Sequence, residues 1–256
     1  MRWRRLAFVV GTGALLLAAA AAAWVGFWTH EYETSVLPRA SWLPDGRNTG
    51  NEQYIAQRLS SHEDPPYEVR WGLLVIGDST AVGMGSSYEY SLVWPASSDA
   101  TFPSWANLGI VGARLHDVVG QLTFVRRLVY EDMVLSVGAN DATHLTSLAS
   151  YRTDMRKLAA YLATRPPGHT FVFTAPDMSL VPALPIGYRT LVGMRAAAEN
   201  RILREEMPST VIIVDIYNQG KLDPKVDPWL YAEDQFHPSD KGYAIWASVL
   251  QKAQHP

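Results

Sequence analysis

Short apolar runs alternate with longer stretches of helical periodicity along most of the chain. Each run is rich in apolar or β-branched residues, as buried strands are. The runs predict five strands, of which the second is the weakest candidate: 71–76, 104–109, 132–137, 169–175 and 210–216. Between them, apolar residues recur at intervals of three and four, which predicts helices at about 113–128, 147–164, 189–206 and 239–252.

This alternation of strands and helices predicts the fold class. Strands that alternate with helices form a parallel sheet covered on both faces. Right-handed crossovers then give a three-layer α/β/α sandwich, in which ligands bind beyond the carboxyl ends of the strands. We therefore expect one α/β domain over residues 71–256, with its site at that edge of the sheet.

A different pattern occupies the N-terminus. Residues 1–5 read MRWRR, and no charged residue occurs over 6–28. A basic flank before an apolar stretch is typical of an export signal, and this stretch is long enough to cross a hydrocarbon core of roughly 30 Å. A buried helix of the domain is the alternative, but uniform apolarity on every face favours a membrane. Residues 1–28 thus predict a signal anchor with the domain outside the cell, or a secreted protein if cleavage follows Ala23.

Residues 29–70 differ from both neighbours, because prolines and glycines interrupt a mostly polar stretch with little periodicity. They predict a spacer between the membrane segment and the domain, with a short helix near 51–60.

The composition excludes several kinds of ligand and nucleophile. The net charge is −3 with acids and bases scattered along the chain, so no basic stripe predicts nucleic-acid binding. The chain has no cysteine, which excludes disulfides, thiolate metal ligands and a cysteine nucleophile. No pair of histidines has metal-ligand spacing, so we expect no metal. Any nucleophile is therefore an oxygen or an amine.

The sequence Gly77-Asp78-Ser79-Thr80 directly follows the first predicted strand. A serine at a strand-to-helix turn presents its hydroxyl at the open edge of the sheet. The N–H groups and dipole of the following helix favour an oxyanion beside it. Taken alone, the same residues also fit a plain helix cap after a glycine turn.

A second candidate group lies near the C-terminus, where Asp234 and His237 are three residues apart. Within one turn of chain the aspartate can accept the imidazole Nδ1–H, which leaves Nε2 free to take a proton from a serine. Pro238 and Ser239 also fit the start of the last helix, so the motif alone leaves both interpretations open.

Two further turns follow predicted strands. Residues 138–141 read GAND after the third strand, and residues 107–112 read NLGIVG after the second. Each could be an ordinary βα turn. In the functional interpretation, the Asn140 amide and the Gly112 backbone N–H join the Ser79 N–H around a tetrahedral oxyanion.

Together the four motifs resemble the SGNH (GDSL-type) hydrolase family, whose sequence blocks supply serine, glycine, asparagine and histidine in that order. Here the order is Ser79, Gly112, Asn140 and His237. The resemblance covers 71–252 and implies the flavodoxin-like sandwich of that family, which agrees with the fold predicted from the pattern alone.

The resemblance also implies a serine esterase without a cofactor. Ser79 would attack the acyl carbon, His237 would act as base and then as acid, and Asp234 would orient the imidazole. Two positions depart from the family pattern: Thr80 stands where the motif has leucine, and Val111 precedes the glycine where serine is common. Neither change removes a catalytic group, so they bear on substrate preference.

The sequence leaves the substrate open. Location outside the cell favours acyl esters on envelope glycans or lipids, and the apolar loop 176–188 could line an acyl or leaving-group pocket. The segment 86–103 carries Tyr88, Tyr90, Trp94 and Phe102, which would suit a sugar or a lipid as well as ordinary packing.

Two alternatives to hydrolysis stay open. An acyltransferase would use the same triad with a sugar hydroxyl in place of water, and a non-catalytic glycan-binding module would use the fold alone. Asp78 and Asp141 adjoin the motifs, and we expect them to stabilise turns rather than to react.

Overall fold

The computed structural model describes residues 18–26, 70–87, 105–125, 129–164 and 168–254. Within these ranges five strands form one parallel sheet in the order β2-β1-β3-β4-β5. The predicted parallel sheet is therefore confirmed, with β3 beginning three residues before its predicted start. The strands are β1 (Arg70–Gly77), β2 (Trp105–Asn107), β3 (Val129–Ser136), β4 (Thr170–Phe173) and β5 (Val211–Val214).

The long helices also lie where the periodicity places them. The helix expected after Ser79 is present as α1, whereas the sequence pattern missed two short helices, α3 and α6, because a helix of one turn leaves no periodic signal. The helices are α1 (Ser79–Val82), α2 (Leu115–Val125), α3 (Ala139–Thr143), α4 (Leu148–Ala163), α5 (Ile186–Glu206), α6 (Ile216–Gln219) and α7 (Asp240–Gln254). Short 3₁₀ helices occupy Met178–Leu180 and Pro228–Leu230.

The sheet separates two apolar cores. On β1, Leu73 and Val75 pack into one core, and Leu74 and Ile76 pack into the other. Alternate side chains of a strand point to opposite faces, so a central strand buried on both faces is apolar throughout. The first core is closed by α7 and the first part of α5, and the second by α2, α4 and the last part of α5, so helices cover both faces of the sheet as predicted.

Strand order determines which loops meet. Because β1 lies between β2 and β3, the loops that follow these three strands are neighbours at the carboxyl edge of the sheet. In the register of β1 and β3, Gly77 is opposite Ser136, so Ser79 and α3 begin side by side. The fold thereby brings three of the four sequence motifs to one edge.

Residues 18–26 form a helix apart from the sheet. The Trp24 ring of this helix lies over Gly187, at the start of α5. None of the helices in the described residues is both long and apolar enough to span a membrane. The rest of the predicted membrane segment, the spacer with its helix near 51–60, and the aromatic residues Tyr88, Tyr90, Trp94 and Phe102 lie outside the described residues.

Candidate active site

Ser79 is the first residue of α1, immediately beyond the carboxyl end of β1. The turn depends on Gly77, whose φ is +150° and where a Cβ atom would lie 2.0 Å from the Ser136 carbonyl oxygen. Only glycine permits so close an approach of the two strands. Ser79 is consequently 5% exposed, at the predicted strand-to-helix turn.

The residues on either side of Ser79 stabilise this turn. The Asp78 carboxylate caps α1 by accepting hydrogen bonds from the Thr80 backbone N–H at 2.8 Å and from the Thr80 hydroxyl at 2.6 Å. Burial raises the pKa of Asp78, against the lowering effect of these bonds. The Thr80 Oγ1 also lies 2.7 Å from the Ser136 Oγ. Threonine in place of the family's leucine thus contributes a buried hydroxyl that links α1 to β3.

His237 connects Ser79 to Asp234. The His237 Nε2 lies 2.8 Å from the Ser79 Oγ, and the His237 Nδ1 lies 2.7 Å from the Asp234 Oδ2. The structure therefore brings together all three residues proposed for the triad, although 158 positions separate Ser79 from His237.

A tight turn holds Asp234 in place. Its Oδ1 accepts hydrogen bonds from the backbone N–H groups of Phe236 at 2.8 Å and His237 at 2.9 Å. The turn passes through the left-handed region at Gln235, whose φ is 57°, an unusual conformation for a residue with a side chain. The Gln235 carbonyl accepts a hydrogen bond from the Ala183 N–H at 3.0 Å, which ties the turn to the loop after β4.

The electrostatics of this turn favour an ionised aspartate. Burial raises the pKa of the Asp234 carboxyl, but the His237 side chain and the two backbone N–H donors outweigh burial and lower it overall. An ionised Asp234 accepts the Nδ1–H and thereby leaves Nε2 as the nitrogen that accepts the serine proton. The arrangement can therefore activate Ser79 as a nucleophile.

Asn140 and Gly112 occupy adjoining loops beside the serine. The buried Asn140 side chain donates from Nδ2 to the Ala113 carbonyl at 3.1 Å, which uses one of its two amide hydrogens. Gly112 precedes Ala113 and has a φ of 78°, which favours glycine. Ser79 and Asn140 line the same cleft, whereas Gly112 is not among its lining residues.

Asp141, next to Asn140, has the contacts of a helix-capping residue. Its Oδ2 accepts a hydrogen bond from the Leu115 N–H at 2.7 Å, at the start of α2. Burial raises the pKa of Asp141 to about 6, and the bond from Leu115 opposes that rise. This geometry supports the expected structural role and places no reacting atom beside the carboxylate.

A narrow cleft with mainly apolar walls lies at this edge of the sheet. The loop 176–188 contributes three apolar lining residues, as predicted, and the sequence missed the contribution of α7 and of the loop after α6. No group of three or more His, Cys, Asp or Glu residues in the described parts of the chain is arranged to hold a metal ion. Besides Ser79, Asn140 and His237, the cleft is lined by Met178, Val181, Leu222, Phe236 and Trp246.

A second buried polar group lies behind α3, and sequence reasoning missed it. Glu199 of α5 is 0% exposed, and neither of its carboxyl oxygens has a hydrogen-bond partner among the described residues. Burial and the nearby Asp141 raise the pKa of Glu199 to about 9. The hydroxyl of Tyr151 on α4 is also without a partner, and it would lie 3.3 Å from a Cβ atom at Gly138.

The fold and the hydrogen-bonded array together define a class, that of hydrolases with a serine nucleophile at the carboxyl edge of a parallel sheet. Residues 75–245 match the model of the GDSL-like lipase/acylhydrolase family. The chain belongs to this family, which confirms the resemblance found in the sequence.

A curated relative supports the assignment. The chain is similar to a GDSL-like esterase of Mycobacterium tuberculosis, with 29% identity over 198 residues. The match covers 72% of this chain and 61% of the relative, so the chain spans about three fifths of that protein's length.

Solved structures support the fold. A lipase from a goat rumen metagenome superposes with a TM-score of 0.56 at 15% identity, covering 71% of this chain and 96% of the lipase. An acetyl xylan esterase from Geobacillus stearothermophilus superposes with a TM-score of 0.51 at 20% identity, covering 72% of this chain and 94% of the esterase.

Proposed function

We propose that this protein is an exported serine esterase that cleaves acyl esters through an acyl-enzyme on Ser79. The observation that carries the proposal is the continuous hydrogen-bonded array from Ser79 through His237 to Asp234, located at the mouth of an apolar cleft. An acyl group fits such a cleft because its walls are mainly hydrocarbon.

In the proposed reaction, the Ser79 Oγ attacks the ester carbonyl while the His237 Nε2 takes the hydroxyl proton. The carbonyl oxygen becomes an oxyanion, for which the Asn140 amide and the backbone N–H groups of Ser79 and Gly112 are the proposed donors. Collapse breaks the ester C–O bond, and His237 returns the proton to the departing alcohol. Water then attacks the acyl-enzyme by the same route, releasing a carboxylic acid and restoring Ser79.

The proposed location follows from the first 28 residues. Arg2, Arg4 and Arg5 before an uncharged stretch favour insertion with the arginines in the cytoplasm and the domain outside. Substrates would then be acyl esters of the cell envelope. Fractionation should recover the protein in the membrane, accessible to external protease after removal of the cell wall, whereas a purely cytosolic protein would contradict this topology.

Covalent labelling tests the chemistry directly. A fluorophosphonate should modify the full-length protein at Ser79, as identified by peptide mass, and Ser79→Ala should take up no label. The protein should also hydrolyse short-chain acyl esters, and Ser79→Ala should lose that turnover by on the order of 10⁶-fold. Labelling at another residue, or no labelling of the folded protein, would contradict the proposal.

Product analysis separates hydrolysis from transfer. With water as the only acceptor, ester cleavage should yield free acid. If the acyl-enzyme formed but released its acyl group only when a sugar hydroxyl was supplied, the protein would be an acyltransferase with the same nucleophile.

A further inference from the structure

The exposed apolar side chains of the sheet domain are concentrated on one side of the described residues. Three of them are among its most exposed large hydrophobics: Val226 is 82% exposed, Trp229 is 76% exposed and Ile186 is 75% exposed. Isolated surface hydrophobics are common, but a set on one face marks an interaction surface. The full set is Ile110, Leu148, Ile186, Met194, Val226 and Trp229.

All six lie in segments that follow the carboxyl ends of strands, the edge of the sheet where the catalytic cleft opens. Ile110 follows β2, and its N–H donates to the carbonyl of Gly77 at the end of β1. Leu148 begins α4, after the loop that follows β3. Val226 and Trp229 lie between α6 and α7, and the Ser239 hydroxyl beside the start of α7 donates to the Trp229 carbonyl at 2.5 Å.

The first half of α5 projects past the same edge. The Asn200 side chain forms hydrogen bonds at 2.8 and 2.9 Å with the backbone N–H and carbonyl of Ala175, two residues beyond the end of β4. Ile186 and Met194 precede Asn200 on this helix, so they lie farther from the sheet than Asn200 does. The last turn of α5, towards the amino edge, instead carries Glu205 and Glu206 paired with Arg152.

The N-terminal helix contacts this same face. A Cβ atom at Gly187 would lie 2.6 Å from the Trp24 Cζ2, so the indole covers the first turn of α5, next to Ile186. In the proposed topology the apolar stretch ends at residue 28 on the outer side of the membrane. Trp24 is then close to that end of the apolar stretch, at the depth where tryptophan is enriched in membrane proteins.

We propose that the carboxyl edge of the sheet docks on the outer surface of the lipid bilayer, so that the catalytic cleft receives acyl esters presented at that surface. This inference rests on the proposed function and topology. Trp24 brings α5 to the level of the outer interface, and Ile186, Val226 and Trp229 are the exposed side chains that enter it. Their transfer from water to the interface stabilises the docked orientation, in which the cleft faces its substrate.

Site-specific labels test the orientation in the full-length protein. The chain has no cysteine, so Ile186→Cys, Val226→Cys and the control Ser209→Cys each carry a single site for an environment-sensitive fluorophore. Ser209 is exposed in the turn before β5, at the opposite edge of the sheet. In phosphatidylcholine/phosphatidylglycerol vesicles, labels at 186 and 226 should shift to the blue and be quenched by a nitroxide on the upper acyl chain. The label at 209 should do neither.

A kinetic comparison tests the consequence for substrate. The combined variant Ile186→Ser, Val226→Ser, Trp229→Ser should hydrolyse an acyl ester embedded in vesicles on the order of tenfold more slowly than the unmodified protein. Its turnover of a soluble short-chain ester should stay within about twofold, because the substituted side chains do not line the cleft. The control Ser209→Ala changes an exposed side chain at the opposite edge of the sheet and should leave both rates unchanged.

The two hypotheses fail in different ways. If no soluble ester is hydrolysed, the proposed function is wrong, while the quenching result still decides the orientation. If soluble esters are hydrolysed but labels at 186 and 226 are not quenched, docking is wrong and the esterase stands. Quenching between labelled copies that falls on dilution with unlabelled protein, without quenching by lipid, would assign this face to a dimer instead.

Discussion

Two carboxyl groups, the partly buried Asp234 and the fully buried Glu199, meet opposite environments in this molecule. Asp234 receives hydrogen bonds from two backbone N–H groups and faces the His237 imidazole, and its pKa is lowered despite burial. Within the part of the chain that the structure describes, Glu199 has no hydrogen-bond donor on either oxygen, and burial raises its pKa to about 9. At neutral pH the first is a carboxylate and the second is a neutral acid.

The difference follows both from depth and from what faces each acid: donors and an imidazole favour the charged form of Asp234, whereas complete burial favours the neutral form of Glu199. The turn from Asp234 to His237 directs two N–H groups at one oxygen, and it does so with Gln235 in the left-handed region. Around Glu199 the nearby titratable groups include a second acid, Asp141, and Tyr151, while Arg195 on its own helix lowers the pKa only in part. The ionised site can orient a catalytic base, and the neutral site can only fill space.

The largest expected effect comes from removing the charge of the first acid. Asp234→Asn should lower kcat by on the order of 10⁴-fold, because an amide can donate to Nδ1 and so favours the tautomer with its proton on Nε2. Glu199→Gln is the matched control and should keep kcat within about twofold, since it replaces a neutral acid with an isosteric amide. Both are measured on a soluble ester after circular dichroism has verified folding. Similar losses in the two variants would contradict the distinction between the sites.

Asn140→Ala tests the proposed oxyanion hole, which lies between the two regions compared. Asn140 lines the cleft, and its helix α3 packs against α5, the helix that carries Glu199. Loss of one oxyanion donor should reduce kcat by on the order of 10²–10³-fold with little change in KM. Because the side chain also donates to the Ala113 carbonyl, the thermal midpoint is measured alongside. Near-normal turnover in a folded variant would remove Asn140 from the proposed oxyanion hole.

The sequence predicted the region around Ser79 and His237 but missed the region around Glu199, and both outcomes have physical reasons. Ser79, Asn140 and His237 each follow a strand or precede a helix, where glycines and capping residues mark the boundary, so the pattern located them well. Their approach to within hydrogen-bond distance depends on strand order, which chain order does not specify. The sequence supplied candidates, and the neighbouring positions of β1 and β3 make them one site.

Glu199 carried no such signal. It lies in the middle of α5, within the sequence AAAEN at 196–200. A glutamate in such a helix is usually exposed on the polar face. Both faces of this part of α5 are covered, by α3 and α4, and that packing is a property of the tertiary structure. Similarly, Leu222 and Trp246 come to the cleft from segments whose periodicity predicts only that they are buried.

Protonation of Glu199 predicts how stability depends on pH. In the unfolded chain a glutamate ionises above about 4.5, whereas folded Glu199 keeps its proton to about 9, so the folded state binds more protons between these values. Stability from this site is therefore lost as pH rises, by about 1.4 kcal/mol per pH unit within that window. Glu199→Gln cannot ionise, so its thermal midpoint should exceed that of the unmodified protein by an increasing margin from pH 5 to pH 9.

The control for this experiment is Glu205→Gln, which alters an exposed glutamate on the same helix. Its midpoint should follow the unmodified protein across the whole pH range, apart from the small offset expected for one surface ion pair. A Glu199→Gln curve parallel to the unmodified protein would mean that Glu199 is already ionised in the folded state, with a donor that the geometry does not supply.

The smallest expected effect concerns two tyrosine hydroxyls of α4, those of Tyr151 and Tyr161, which differ in their hydrogen bonding. The Tyr151 hydroxyl is buried and has no hydrogen-bond partner in the described ranges, whereas the Tyr161 hydroxyl lies 3.0 Å from that of Tyr130. Tyr151→Phe removes a polar atom that gains nothing from its surroundings, so the free energy of unfolding should stay equal or rise by up to about 1 kcal/mol. Tyr161→Phe breaks a hydrogen bond and should lower it by about 1 kcal/mol. Urea midpoints at constant m-value measure both changes. If Tyr151→Phe instead destabilised the protein as much as Tyr161→Phe does, the Tyr151 hydroxyl would have a hydrogen-bond partner, such as a buried water shared with Glu199. Glu199 and Tyr151 would then belong to a hydrogen-bonded polar network rather than to a site without donors.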